Sequence, residues 1–124
     1  MDRIPHLRTG ETYATVYAPL EKTPFDPDVI LVVTTPRNML KLAQASLFRL
    51  GGRITPEMAG IQSVCADVTT QPYLTGCVNF SLGCDGSRRY SGIADDEMVM
   101  GFPVELLPNI GEAVKVVTQA PGSK

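Results

Sequence analysis

The stretch "VILVVTTPRNMLKLAQASL" (residues 29–47) decides the fold. Its first seven residues are apolar and β-branched with no polar face. That is the pattern of a strand covered on both sides, expected at the centre of an α/β sheet. Thr35 and Pro36 then supply a hydroxyl cap and a proline at the first helical position, where no amide hydrogen bond is lost. Met39, Leu40, Ala43, Leu47 and Leu50 recur at helical spacing, Arg49 complements the helix dipole, and Gly51-Gly52 provides the stop. Strand, short turn and capped helix make half of a βαβ unit.

Working outward, "TYATVYA" (12–18) alternates Tyr13, Thr15 and Tyr17 against Ala14, Val16 and Ala18, which suits a strand. The three prolines of "PLEKTPFDPDV" (19–29) make it a surface loop. After a connection over 53–60, Ile61, Val64, Cys65 and Val68 fall at i, i+3, i+4 and i+7, predicting a second helix that ends before Pro72. "VNFSL" (78–82) predicts a half-buried strand with Asn79 and Ser81 on its polar face, and "EMVMGF" (97–102) another strand. Residues 103–120 predict a helix with a kink or restart near Pro108-Asn109. The order β-β-α-α-β-β-α implies an α/β or α+β domain, with a mixed sheet of about four to five strands covered by helices. One domain spans 1–124, with loosely ordered tails at 1–10 and 119–124.

Composition narrows the function classes. The 124 residues are 44% hydrophobic and 19% charged, with a formal net charge of -2. Such a chain folds, and it lacks a general electrostatic grip on nucleic acid or an acidic membrane. No apolar run approaches the roughly 20 residues of a membrane span, and "MDRIPHLRTG" has no signal-peptide core, so a cytoplasmic protein is expected. Three cysteines without a CxxC and the single histidine, His6, argue against a metal site within one chain and leave any cofactor unspecified.

The stretch "GCDGSRRY" (83–90) carries the candidate chemistry. Asp85-Gly86 is a turn pair, and Gly83 and Gly86 let backbone amides converge on an anion to which the Arg88 or Arg89 fork adds charge. In an extended segment the two arginines would point opposite ways, which favours Arg88 for the ligand. The spacing of a P-loop is absent. Cys65 lies on the apolar face of the predicted helix. Together with Cys84 it would form a two-thiol site only if their Cα atoms come within roughly 7 Å. Tyr73 in "YLTG" and Asn79 border the same candidate ligand site. Asp95, Asp96 and Glu97 read as a solvated turn, and Cys77 as dispensable. Without an acid–base dyad, hydrolysis is disfavoured.

The stretches "APLEKTPFDPDVILVV" (18–33), "VCADVTTQPYLTG" (64–76), "NFSLGCDGSRRY" (79–90) and "DDEMVMGFP" (95–103) occur in the order found in the domain of unknown function 169 family. The chain resembles the carboxy-terminal part of these prokaryotic proteins, many from archaea and anaerobes. The resemblance implies cysteines at the positions of Cys65 and Cys84, and an additional amino-terminal segment absent here, as in a shortened protein, a fragment or half of a split pair. It carries no catalytic residues. Three functions therefore stand as expectations. The first is an accessory or regulatory module binding a small anionic ligand or cofactor near Cys65, Tyr73, Asn79, Cys84, Gly86, Arg88 and Arg89. The second is a thiol-based redox or metal- or iron–sulfur-dependent enzyme using Cys65 and Cys84. The third is a structural subunit. Each is compatible with a homo-oligomer or a complex with another protein chain.

Overall fold

The computed structural model describes residues 4–11, 14–49 and 51–119. Strand β1 (Val29–Thr34) and helix α1 (Pro36–Leu47) form where the opening stretch predicts them, with Pro36 in the first turn. The helix ends at Leu47, and the Gly51 amide, from a left-handed residue, donates to the Leu47 carbonyl at 2.7 Å. Leu50 lies outside the described residues, and Leu40 points to solvent instead of joining the apolar stripe.

The next helical segment departs from expectation. Ser63–Thr70 is a π-helix that runs directly into α2 (Gln71–Thr75), so Pro72 sits in the first turn of a continuing helix. Two hydroxyls favour the wider winding: Thr69 Oγ1 donates to the Val64 carbonyl at 2.6 Å and Thr70 Oγ1 to the Cys65 carbonyl at 2.8 Å, each five residues back. The i→i+5 winding also defeats the 3.6-residue reading of the face. Ser63, Ala66, Asp67 and Val68 turn inward, whereas Ile61 and Cys65 are exposed.

Strand β2 (Asn79–Ser81) follows, then α3 (Asp85–Tyr90), β3 (Met98–Pro103), a 3-10 turn over Val104–Leu106 and α4 (Leu107–Gln119). Pro108 opens α4, which is the restart expected near Pro108-Asn109, and Gln119 remains in the helix rather than starting a tail. The sheet has order β1-β3-β2 with both pairings antiparallel. The α+β class holds, but with three strands among the described residues rather than four to five. α1 therefore leads to no parallel βαβ return. β3 is the central strand and β1 an edge, because Val99–Pro103 are all buried while Val33 on β1 is 45% exposed. Residues 14–18 form no strand, having no neighbouring edge and no buried face; Thr12 and Tyr13 lie outside the described residues.

Alternation along β3 builds two cores. Met100 and Phe102 face α1 and α4, packing with Ile30, Met39, Phe80 and Ile110. Val99 faces the other way, with Val68 and Ile93. The α1/α4 layer thus covers one face of the sheet, and the π-helix covers the other. Between them Gly101 presents no side chain to the π-helix, and that layer carries the candidate site.

Candidate functional site

The 83–90 stretch is a capped helical turn rather than an open loop. Gly83 has φ +86, a left-handed backbone that disfavours any side chain, and a Cβ there would lie 3.0 Å from Ser87 Oγ. The chain then enters α3 with Cys84 as its N-cap. The Cys84 amide donates to Ser87 Oγ at 2.9 Å, and the Ser87 amide donates to the Cys84 sulfur at 3.4 Å. This is a capping box with sulfur in place of the usual oxygen. Gly86 is the second residue of α3, away from the left-handed region expected of a turn glycine.

A second chain segment reaches the same sulfur. Gln62 adopts the left-handed backbone (φ 49, ψ 37) just before the π-helix, at a cost that only surrounding structure sustains. Ser63, the first π-helical residue, is fully buried, and its hydroxyl finds no hydrogen-bond partner of good geometry among the described residues. Its amide and hydroxyl nevertheless face the Cys84 sulfur closely enough to favour a thiolate. The Ser87 hydroxyl, then the Ser87 amide, then the Ser63 amide and hydroxyl pull the Cys84 pKa down to about 6; burial opposes them only slightly. Cys84 is half-buried, so the thiolate is reachable from solvent. A thiolate stabilised by converging N–H and O–H donors is a nucleophile and a potential metal ligand.

Arg88 is committed elsewhere. Its Nε donates to the Leu82 carbonyl at 2.9 Å, Nη1 to Ala94 at 2.6 Å and Nη2 to Glu97 at 2.8 Å, with a further Nη2 bond to Leu82. Four of its five N–H groups are thereby used, two on the Leu82 carbonyl and two tying α3 to the 94–97 turn. Arg89 is exposed, its guanidinium 6.0 Å from the centre of the Tyr90 ring. Because α3 is helical, the alternation expected of a strand does not govern where the two arginines point.

The other sequence candidates are dispersed. Asn79 is 3% exposed and works as a fastener: its Oδ1 accepts from the Glu57 amide at 2.9 Å, while Nδ2 donates to the carbonyls of Glu57 at 2.9 Å and Asp67 at 2.6 Å. Tyr73 is exposed on α2. Cys65 is an exposed free thiol near Tyr17, whose hydroxyl shares a 2.9 Å hydrogen bond with Thr69 Oγ1; burial raises the Tyr17 pKa. Cys77 is likewise exposed and free. Asp95 and Asp96 form the solvated turn expected of them. Among the described residues no three His, Cys, Asp or Glu side chains gather as metal ligands. No helix among them is long and apolar enough to cross a membrane.

Sequence reasoning passed over Ser63, Ser87 and Ser81. The spacing of Cys84 and Ser87 carries a local signal, the capping-box interval. Ser63 has none, since only the approach of the π-helix brings it to the sulfur. Ser81 is buried with its hydroxyl donating to Asp67 Oδ2 at 3.4 Å and accepting from the Gly83 amide at 3.1 Å. Burial raises the Asp67 pKa, against the Ala59 amide and the Ser81 hydroxyl, which lower it.

Comparison with known proteins agrees with the resemblance seen in the motifs. The profile of DUF169, described as uncharacterised ArCR, matches residues 1–113. The uncharacterized protein MJ0308 of Methanocaldococcus jannaschii is 46% identical over 115 residues, covering 93% of this chain and 49% of that protein. The chain thus spans about half the length of the curated relative it matches. No solved structure matches it. With the family profile spanning nearly the whole chain and a relative this similar, the protein belongs to the DUF169 family.

Proposed function

We propose that the chain carries a reactive-thiolate site centred on Cys84 and acts as a nucleophile toward small disulfides. The Cys84 sulfur attacks one sulfur of the disulfide, forms a mixed disulfide and expels the other sulfur as a thiolate. The observation that supports this is the Ser87 amide donating to the half-buried Cys84 sulfur at 3.4 Å, with the buried Ser63 amide and hydroxyl facing the same sulfur. Each donor stabilises the thiolate over the thiol, and the thiolate is the attacking species. A second external thiol would resolve the mixed disulfide, because Cys65 is exposed on the π-helix while Ser63 turns inward to Cys84. A metal-dependent role would need ligands beyond those grouped in this chain's described residues.

Binding of a small anion at the same amides is the second reading, with Arg89 rather than Arg88 supplying the charge. Leu82 and Tyr90, 58% and 80% exposed on either side of Cys84, also support a partner protein or second copy over this region.

The decisive experiment alkylates Cys84 with iodoacetamide from pH 5 to 10 in a Cys65→Ser/Cys77→Ser background, read by mass spectrometry. Half-maximal rate at about pH 6 is expected. A midpoint near the ordinary thiol value of 9.0 overturns the reading. In the parent chain, oxidised glutathione should add a mixed disulfide at Cys84, and no adduct there would equally refute it.

A further inference from the structure

A separate cavity of about 250 Å³ lies between Ile4 and Pro5 and the 57–61 connection, with Asp67 at its inner wall. Much of its remaining wall is apolar, formed by Met58, Ala59 and Ile61. Asp67 is only 3% exposed. Its Oδ2 accepts two long bonds, from the Ala59 amide and Ser81 Oγ, both at 3.4 Å. Among the described residues, its Oδ1 receives no hydrogen bond and no Lys, Arg or His lines the cavity. Glu57, the other ionisable group on the wall among the described residues, is also acidic.

We propose that this cavity is a binding site for a small organic ammonium ion, its N–H groups on Asp67 and its alkyl part against Met58, Ala59 and Ile61. A carboxyl held by two long bonds and facing the cavity gains from a cation there, because a largely buried charge with few partners is costly. A primary ammonium supplies charge and donors together, and its hydrocarbon chain matches the apolar walls of Met58, Ala59 and Ile61. A carboxylate ligand would instead meet Asp67 and Glu57 as like charges. The proposal does not invoke the Cys84 thiolate, so either assignment can fail alone.

The test is an NMR titration of the full chain at pH 7 with n-butylammonium, n-butanol and butyrate. The n-butylammonium ion should saturably shift the Ala59 and Ile61 amides, with n-butanol weaker by about tenfold or more and butyrate without effect. Asp67→Asn should lose about tenfold or more in affinity for n-butylammonium. Met58→Trp, which fills the rim and keeps the carboxyl, should do the same, and decides the matter if Asp67→Asn does not fold. The proposal is overturned if none of the three probes shifts these amides, if butanol or butyrate binds as well as the ammonium, or if the folded variants bind like the parent.

Discussion

Gly101 on β3 lies directly beneath Val68 of the π-helix: a Cβ at residue 101 would stand 1.9 Å from the Val68 carbonyl oxygen. The obstacle is backbone, so no side-chain rotation relieves it. Gly101→Ala must push the π-helix off the sheet, carrying Ser63 away from Cys84. A loss of about 3 kcal/mol in urea unfolding is expected, the upper end for overpacking. A loss below about 1 kcal/mol would mean that the two layers slide apart freely.

Arg88 joins three carbonyls that would otherwise lack these charged donors. A lysine cannot present the same fork, so Arg88→Lys should cost about 2 kcal/mol. Arg89→Ala should stay within about 0.5 kcal/mol, since that residue is exposed. Equal effects at the two positions in chemical denaturation would contradict the assignment.

Asn79 offers a sharper case, because Asn79→Asp preserves shape. The Glu57 and Asp67 carbonyls lose their donors, and a carboxylate is buried facing them. About 3 kcal/mol of destabilisation is expected at neutral pH, read from the thermal or urea midpoint. Near-parent stability would show that Asn79 is not the fastener between the sheet and the 57–67 segment.

The same residue marks where sequence legibility ends. β1, α1, β3 and the restart at Pro108 follow from local rules: β-branched runs, helical period and proline geometry. Their assignments hold at close to residue precision. Asn79 and Ser81 look solvent-facing by alternation, yet both are buried because the π-helix supplies partners from twelve or more residues away. The central position of β3 is likewise a tertiary outcome. Gly101 left a trace, since an interior strand glycine often marks close backbone approach. The thiolate site was half legible: Cys84 stood out, but its Ser63 donor depends on the fold.

Stability should depend on pH through Cys84. Its folded pKa is about 6, below the ordinary 9.0 of an unfolded thiol. Between those values the unfolded chain holds a proton that the folded one has released, so stability rises with pH. The contribution is complete above about pH 9 and lost as pH falls through 6. Cys84→Ser keeps an oxygen cap for α3 while removing the titration. The difference in melting temperature, parent minus Cys84→Ser, should therefore increase from pH 5.5 to 8.5. Parallel curves would refute the depressed pKa.

Ser63 and Ser87 should respond in different ways to the loss of their hydroxyls. The Ser87 hydroxyl completes the cap, accepting from the Cys84 amide and donating to its carbonyl at 3.0 Å. Ser87→Ala should therefore cost about 1 kcal/mol of stability and also raise the Cys84 pKa. The buried Ser63 hydroxyl has no good partner while Cys84 holds its proton, so it contributes little to folding. Once the proton leaves, that hydroxyl favours the anionic sulfur. Ser63→Ala should leave the urea midpoint within about 0.5 kcal/mol of the parent at pH 5, where Cys84 is protonated. In the Cys65→Ser/Cys77→Ser background it should move the Cys84 alkylation midpoint upward from about 6. An unmoved midpoint would remove Ser63 from the thiolate site. A large stability loss at pH 5 would mean that the hydroxyl is held by a partner in the thiol state.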